Sequence, residues 1–296
     1  MAEAEIRMRR RGCPICDHAN THTAAGPYSR SPWVVIACAG CAFVHMRDVP
    51  ETAELVDALA WEKTYAAEAV RRTRDQPVIA WLDAKTRWRL GLFPRVEPAA
   101  IVNHRASSGP VIDLGCGGGS HLRNLDARFT PFGVEISRVL AERATAYVAG
   151  RGGHIVQDSA HLGLETFPDG YFTGALLRSY LEHDSDAAAV LAVLARKLRP
   201  DGIAVVKVPN FGSLNRRVMR ANWCGIRLPD HVNYFTPASL TTMSKKAGVT
   251  AAFPFLLSLP TDDNMIAILR RVQSKESSFP KKEPKTLHSN DLALQR

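Results

Sequence analysis

Residues 111–119 read Val-Ile-Asp-Leu-Gly-Cys-Gly-Gly-Gly, with Gly115, Gly117 and Gly119 at every second position. Glycines lack a Cβ, so such a turn lets main-chain N–H groups approach a ligand without obstruction. Apolar Val111, Ile112 and Leu114 before it read as a short buried strand, and 120–128 after it reads as a helix. A strand, a glycine-rich turn and a helix start bind a nucleotide-like cofactor. The second constellation is two cysteine pairs, Cys13-Pro-Ile-Cys16 and Cys38-Ala-Gly-Cys41, with 21 residues between them. Four thiolates at that spacing supply one tetrahedral zinc, each pair on a tight knuckle turn. Such a zinc is structural, since four thiolates leave no open coordination position.

The elements that must position these groups follow from pattern and punctuation. Residues 12–46 form a candidate zinc ribbon, with Trp33-Val34-Val35-Ile36 as a ribbon strand, too small to bury a core without metal. Residues 51–98 read as a helical linker or cap, carrying Leu55, Val56, Leu59, Tyr65, Val70, Ile79, Leu82 and Trp88 at helical spacing. From 99 to 271 strands and helices alternate: strand 111–114, helix 119–128, strand 131–135, helix 137–149 capped by Ser137, and a strand at 154–157. Strand 172–178, helix 186–198, strand 203–208 and helix 237–247 follow, and strands 249–257 and 264–271 close the pattern. Repeated strand–helix units predict an α/β fold, a mostly parallel sheet with helices on both faces, with antiparallel pairing at the end. Residues 272–296, rich in Ser, Lys, Pro and Glu, are expected to be a disordered tail.

Composition narrows the function classes. A hydrophobic share of 46% with 23% charged residues is ordinary for a globular protein, and no stretch approaches a membrane span. The N-terminal arginines precede no apolar run, so no secretory signal is read and the cytoplasm is the expected compartment. The net charge of +9 invites a nucleic-acid reading, but six of those charges lie in residues 1–11 and 270–296. Basic ends are usually solvated, which disfavours a nucleic-acid footprint. Cys116 and Cys224 are unpaired in sequence and read as packing residues.

Acidic residues refine the cofactor. Glu135 ends the second strand, where a carboxylate accepts hydrogen bonds from ribose hydroxyls. Asp113 stands two residues before the first glycine, so the run differs from the Gly-x-Gly-x-x-Gly dinucleotide fingerprint. Asp158 follows the third strand, next to Ser159, and can accept from an adenine amino group. Leu198-Arg199-Pro200-Asp201-Gly202 precedes the fifth strand.

With Leu181-Glu182-His183 after strand four, these residues resemble the class I S-adenosylmethionine-dependent methyltransferases over about residues 100–271. The resemblance implies a seven-stranded Rossmann-like sheet. It puts the methionine part of S-adenosylmethionine near Gly115, Cys116 and Gly117, its ribose on Glu135, and its adenine near Asp158 and Ser159, with Arg178 beside the pocket. One departure is Phe172-Thr173, where the family usually has Phe-Asp; that Asp is more structural than catalytic. The cysteine pairs, Val208-Pro209-Asn210 and the block from Trp223 to Pro237 resemble a bacterial branch with an N-terminal four-cysteine zinc ribbon. Members of that branch act on small metabolites, nucleotide-linked sugars or glycan and lipid precursors.

Acceptor pockets in open α/β sheets lie beyond the carboxyl ends of strands. His231, in Pro-Asp-His-Val-Asn-Tyr-Phe, is the first candidate for general base because imidazole titrates near neutrality. His183 is the second, and Tyr180 and Tyr234 could orient an acceptor. Arg216, Arg217 and Arg227 could grip an anionic one. The leading expectation is methyl transfer to a small-molecule acceptor, such as a sugar nucleotide or a glycan or lipid precursor. One alternative is an RNA methyltransferase docking through the zinc ribbon, although no Asn/Asp-Pro-Pro-Tyr/Phe motif follows strand four. Another is a non-catalytic zinc-ribbon binding protein with a degenerate methyltransferase domain. Oligomeric state is not read from the sequence.

Overall fold

The computed structural model describes residues 7–51, 74, 96–257 and 259–272. Most of the expected helical segment 51–98 and all but the first residue of the expected tail 272–296 lie outside these. The N-terminal part carries four short strands: β1 (Met8–Arg10), β2 (Val35–Ala37), β3 (Val44–Met46) and β4 (Asp48–Pro50). Helix α1 (Pro98–Arg105) then leads to β5 (Gly109–Leu114), β6 (Phe129–Val134), α2 (Arg138–Val148), β7 (Ile155–Val156) and α3 (Ala160–Glu165). Next come β8 (Phe172–Arg178), α4 (Ala187–Lys197), β9 (Leu198–Pro209), α5 (Leu214–Met219) and β10 (Asn233–Tyr234). Helix α6 (Pro237–Lys246), β11 (Val249–Ala252) and β12 (Asn264–Arg271) complete the order.

Seven strands form one sheet in the order β11-β12-β9-β8-β5-β6-β7. Pairing is parallel from β9 to β7, and β12 enters antiparallel between β9 and β11. Side chains alternate faces with period two. Val111, Ile203, Val205, Ile266 and Ile268 enter one core, while Ile112, Leu114, Ala204, Val206, Met265 and Ala267 enter the other. The expected α/β, Rossmann-like sheet is therefore present, and its near-continuous apolar strands are those of a sheet covered on both faces.

Several boundaries differ from expectation, each with a local cause. The expected helix at 119–128 is absent; only a 3₁₀ turn at Leu122–Asn124 forms. Gly119 sits at φ +78° against Ala144, and Asn103 bonds both the Asp126 N–H and the Asn124 carbonyl, holding the segment in a loop. Residues 198–202 are a bulge within β9: Phe172 faces Leu198, but Gly174 already faces Ile203. Strand β11 ends at Ala252, and a 3₁₀ turn at Phe255–Leu257 follows where the strand was expected to run on. The expected cap holds at α2, where Ser137 accepts from the Leu140 N–H, and α6 begins with a capping box of Thr236 and Ser239 around Pro237.

A second sheet joins the N-terminal part to the main one. Strand β10 pairs antiparallel with β3, Asn233 opposite His45, in the order β10-β3-β2. Behind it Val35, Met46, Phe211, Trp223, Ile226 and Tyr234 share a third core. Arg11 rivets the junction: its buried guanidinium donates to the carbonyls of Met46 (3.1 Å), Ser185 (2.7 Å) and Val232 (2.6 Å), and to Asn233 Oδ1 (2.9 Å).

Candidate functional site

At the carboxyl ends of β5 and β6 the glycine turn closes on Glu135. This buried carboxylate accepts from the Gly117 N–H through Oε2 (2.8 Å) and from the Ser137 N–H through Oε1 (2.9 Å). It thus ties the turn to the start of α2. Gly115 and Gly117 have φ of +66° and +54°, which glycine adopts without strain. A Cβ on Gly115 would strike the Tyr180 ring at 2.6 Å, whereas one on Gly117 would meet nothing within 4 Å. The cradle is therefore roofed by Tyr180 at one end and open at Gly117.

Asp113, 1% exposed, has Oδ2 with no hydrogen-bond partner among the described residues. Burial pushes its carboxyl up to about 8; Arg178 opposes that shift and Glu135 adds to it. Arg178, at the end of β8, donates to His121 Nε2 and pairs with Glu97 at 3.2 Å. Asp158 Oδ1 accepts from the Ser159 N–H (2.7 Å) at the start of α3. Burial raises the Cys116 thiol, whose sulfur packs against Gly133, so this residue offers a ligand only its main chain.

The next constellation lies on the turn after β8. Tyr180 donates its hydroxyl to Asp184, and burial raises its phenol well above the usual range. The Glu182 carbonyl accepts from the N–H groups of Val232 (2.8 Å) and Asn233 (3.1 Å), which docks the His231 loop. His183 and His231 meet edge to face at 4.7 Å between centroids. His183 Nδ1 is 2.9 Å from the Asp230 carbonyl, and His231 Nδ1 is 2.8 Å from that of Gly225. The Glu182 side chain, 1% exposed, is pushed by burial up to about 8, with Arg227 and Lys207 opposing; burial brings His183 down to about 4.

The four cysteines also converge. Cys13 and Cys41 sulfurs are 3.5 Å apart, as are those of Cys16 and Cys38, and all four lie within 4.8 Å of one another. Burial raises the Cys38 thiol, but N–H donors from Asn20, Cys41 and Gly40 outweigh it and bring it to about 6. Four sulfurs at that spacing, with N–H groups donating to Cys13 (from Ile15) and to Cys38 (from Gly40 and Asn20), fit a structural zinc.

A family model described as a methyltransferase domain matches residues 85–251, more than half of the chain. The chain belongs to the methyltransferase family. It is an enzyme of the class I, S-adenosylmethionine-dependent type, as its sheet order also indicates. Solved structures similar to it include the YcgJ protein of Bacillus subtilis, at 17% identity and a TM-score of 0.45, covering 56% of this chain and 93% of that one. A SAM-dependent methyltransferase of Archaeoglobus fulgidus has 18% identity and a TM-score of 0.46, covering 64% and 93%. The CcbJ methyltransferase of Streptomyces caelestis has 17% and 0.47, covering 59% and 88%. The comparison with curated proteins finds no match.

The methyltransferase brings Asp113, Gly115, Cys116, Gly117, Glu135 and Arg178 together at the carboxyl ends of β5, β6 and β8, with Asp158 and Ser159 at the end of the neighbouring β7. His183 and His231, remote in sequence, meet beside Glu182, which the sequence marks only as part of Leu181-Glu182-His183 after strand four. The arginines are less free than expected. Arg216 is bound to the Phe211 carbonyl (2.7 Å) and the Tyr28 hydroxyl (3.2 Å), and Arg227 pairs with Asp230 at 2.9 Å. Tyr234 is 3% exposed within the third core, so it packs there rather than lining an open pocket. Two residues went unforeseen: Arg11, masked as one of four N-terminal arginines, and His121, which no motif marks.

Proposed function

We propose that this methyltransferase moves the methyl group of S-adenosylmethionine to a hydroxyl-bearing small molecule of the sugar, glycan-precursor or lipid-precursor kind. The observation that supports the donor half of this reading is the open cradle at Gly117 beside Asp113 Oδ2, which is buried without a hydrogen-bond partner among the described residues. A ligand carrying an ammonium gives that oxygen a partner, and a ribose can approach the Glu135 carboxylate, which the Gly117 and Ser137 N–H groups already orient. Asp158 and Ser159 would receive the adenine, the main chain of Gly115, Cys116 and Gly117 the methionine part, and Arg178 would bound the pocket. When bound, S-adenosylmethionine supplies an electrophilic methyl carbon on a sulfonium sulfur.

The chain's own residues then have to orient the acceptor and take its proton. Reaction demands a nucleophile held within ~3–3.5 Å of the carbon, with a proton acceptor in reach. His231 is the first candidate for that base and His183 the second; both are anchored by backbone carbonyls, which fixes their rings. Tyr180 would orient the acceptor over the turn. A structural zinc on Cys13, Cys16, Cys38 and Cys41 would hold the sheet that carries β10, and with it the loop of His231. The test is a metabolite screen with a labelled methyl donor, run with and without ribonuclease. Label should enter a small hydroxylated product and survive the nuclease; nuclease-sensitive incorporation into RNA would replace the proposal.

A further inference from the structure

We infer that Glu182, His183 and His231 form a second metal site, distinct from the cysteine cluster, which takes a divalent transition ion and offers it an oxygen of the acceptor as a further ligand. This rests on the reading of the same residues as the acceptor end of the active site, and there the ion, by making a bound hydroxyl more acidic, takes the place of His231 as the group that activates the acceptor. One carboxylate oxygen and a ring nitrogen from each histidine lie within 4.8 Å of one another, so small side-chain shifts bring all three onto one ion. Two histidines and one carboxylate are a donor set that binds zinc or iron(II) and leaves coordination positions open.

Two independent observations point to a ligand here. Glu182 Oε2 is buried with no hydrogen-bond partner among the described residues, in a side chain only 1% exposed. A buried acceptor left in that state is costly and calls for a partner. The second is the outer shell. Each histidine sets Nδ1 on a backbone carbonyl, Asp230 for His183 and Gly225 for His231, the arrangement that fixes the tautomer of a metal-binding imidazole. The chain spends structure on that geometry: Trp223, fully buried and bonded to Asp263 at 2.7 Å, lies so close over Gly225 that a Cβ there would come within 2.1 Å of its ring. The neighbouring charges choose the remaining ligand. Arg227, paired with Asp230, and Lys207 are the cations acting on Glu182, so an anionic oxygen suits the open position better than a neutral nitrogen. That favours an acceptor able to present an alkoxide, phenolate or carboxylate oxygen to the ion.

Metal stoichiometry and cobalt spectroscopy test this directly. Full-length protein first saturated with zinc at the cysteine cluster is titrated with Co²⁺ and compared with His183→Asn, His231→Asn and Glu182→Gln. The expected result is a second equivalent of metal with weak d–d bands and no sulfur-to-cobalt charge transfer, lost in each variant while the cysteine-bound zinc stays. Retained zinc and an unchanged circular dichroism spectrum certify folding; should His231→Asn fail to fold, half-buried His183 carries the comparison. Binding of only one equivalent, or a second equivalent that persists in the histidine variants, overturns the site. Methyl transfer measured on the same samples separates the two readings. Activity lost in His231→Asn without any second equivalent in the parent protein leaves the general base standing and removes the metal. A second equivalent in a protein that labels only RNA removes the small-molecule acceptor instead.

Discussion

Asp113 and Glu135 divide the cofactor turn between them. Glu135 accepts with both oxygens from the N–H groups of Gly117 and Ser137, so it shapes the turn on which the proposed ribose contact depends. Asp113 is buried with one oxygen lacking a hydrogen-bond partner among the described residues and its carboxyl raised to about 8. A carboxyl raised on folding binds more protons in the folded state than in the unfolded one. Its contribution to stability is therefore fully present below the ordinary value of 3.8 and is lost as pH rises through about 8. The melting temperature of ligand-free protein should accordingly fall between about pH 4 and pH 8 and level off above, and Asp113→Asn should flatten that fall. Differential scanning calorimetry across that range checks it; an identical slope in the variant contradicts the account of Asp113.

At the scale of elements, the N-terminal sheet is completed by β10, two residues past His231, so that sheet and the His231 loop stand or fall together. Replacing Arg11 with Met leaves three carbonyls and the Asn233 side chain without their donor. The expected cost is on the order of 3 kcal/mol, read from the urea midpoint. Removing zinc with a chelator should lower the melting temperature and reduce kcat for the acceptor, while affinity for S-adenosylhomocysteine changes little. Equal loss of both would mean that the ribbon supports the whole fold rather than the loop. Much of this architecture was legible beforehand: strand 172–178 matches β8 residue for residue, because a run of buried apolar residues between turn signals leaves few choices. The helix at 119–128 was misread because its local propensity lost to Gly119 packed on Ala144 and to Asn103. Strand β10 could not be seen, since two residues carry no periodicity and their partner β3 lies far earlier in the chain. Glu182 and His231 likewise show their proximity only once β8 and the loop before α6 are folded.

For the whole molecule, the proposed function has one sheet supply the donor end of the site and the loop backed by the N-terminal sheet supply the acceptor end. The main core takes in Cys13, Ile15, Cys38 and Phe43 from the ribbon, so the cysteine cluster is continuous with the packing of the sheet. No helix among the described residues is long and apolar enough to cross a membrane. The central claim is that the turn from Gly115 to Gly117, oriented by Glu135, holds S-adenosylmethionine. Isothermal titration calorimetry of S-adenosylmethionine into the parent protein and Glu135→Ala tests this most directly. Hydrogen bonds to a charged partner are worth about 1.5–3 kcal/mol, so the variant should bind roughly 10- to 150-fold more weakly. Parent protein that gives no binding heat, or a folded Glu135→Ala that binds as tightly as the parent, would contradict the account.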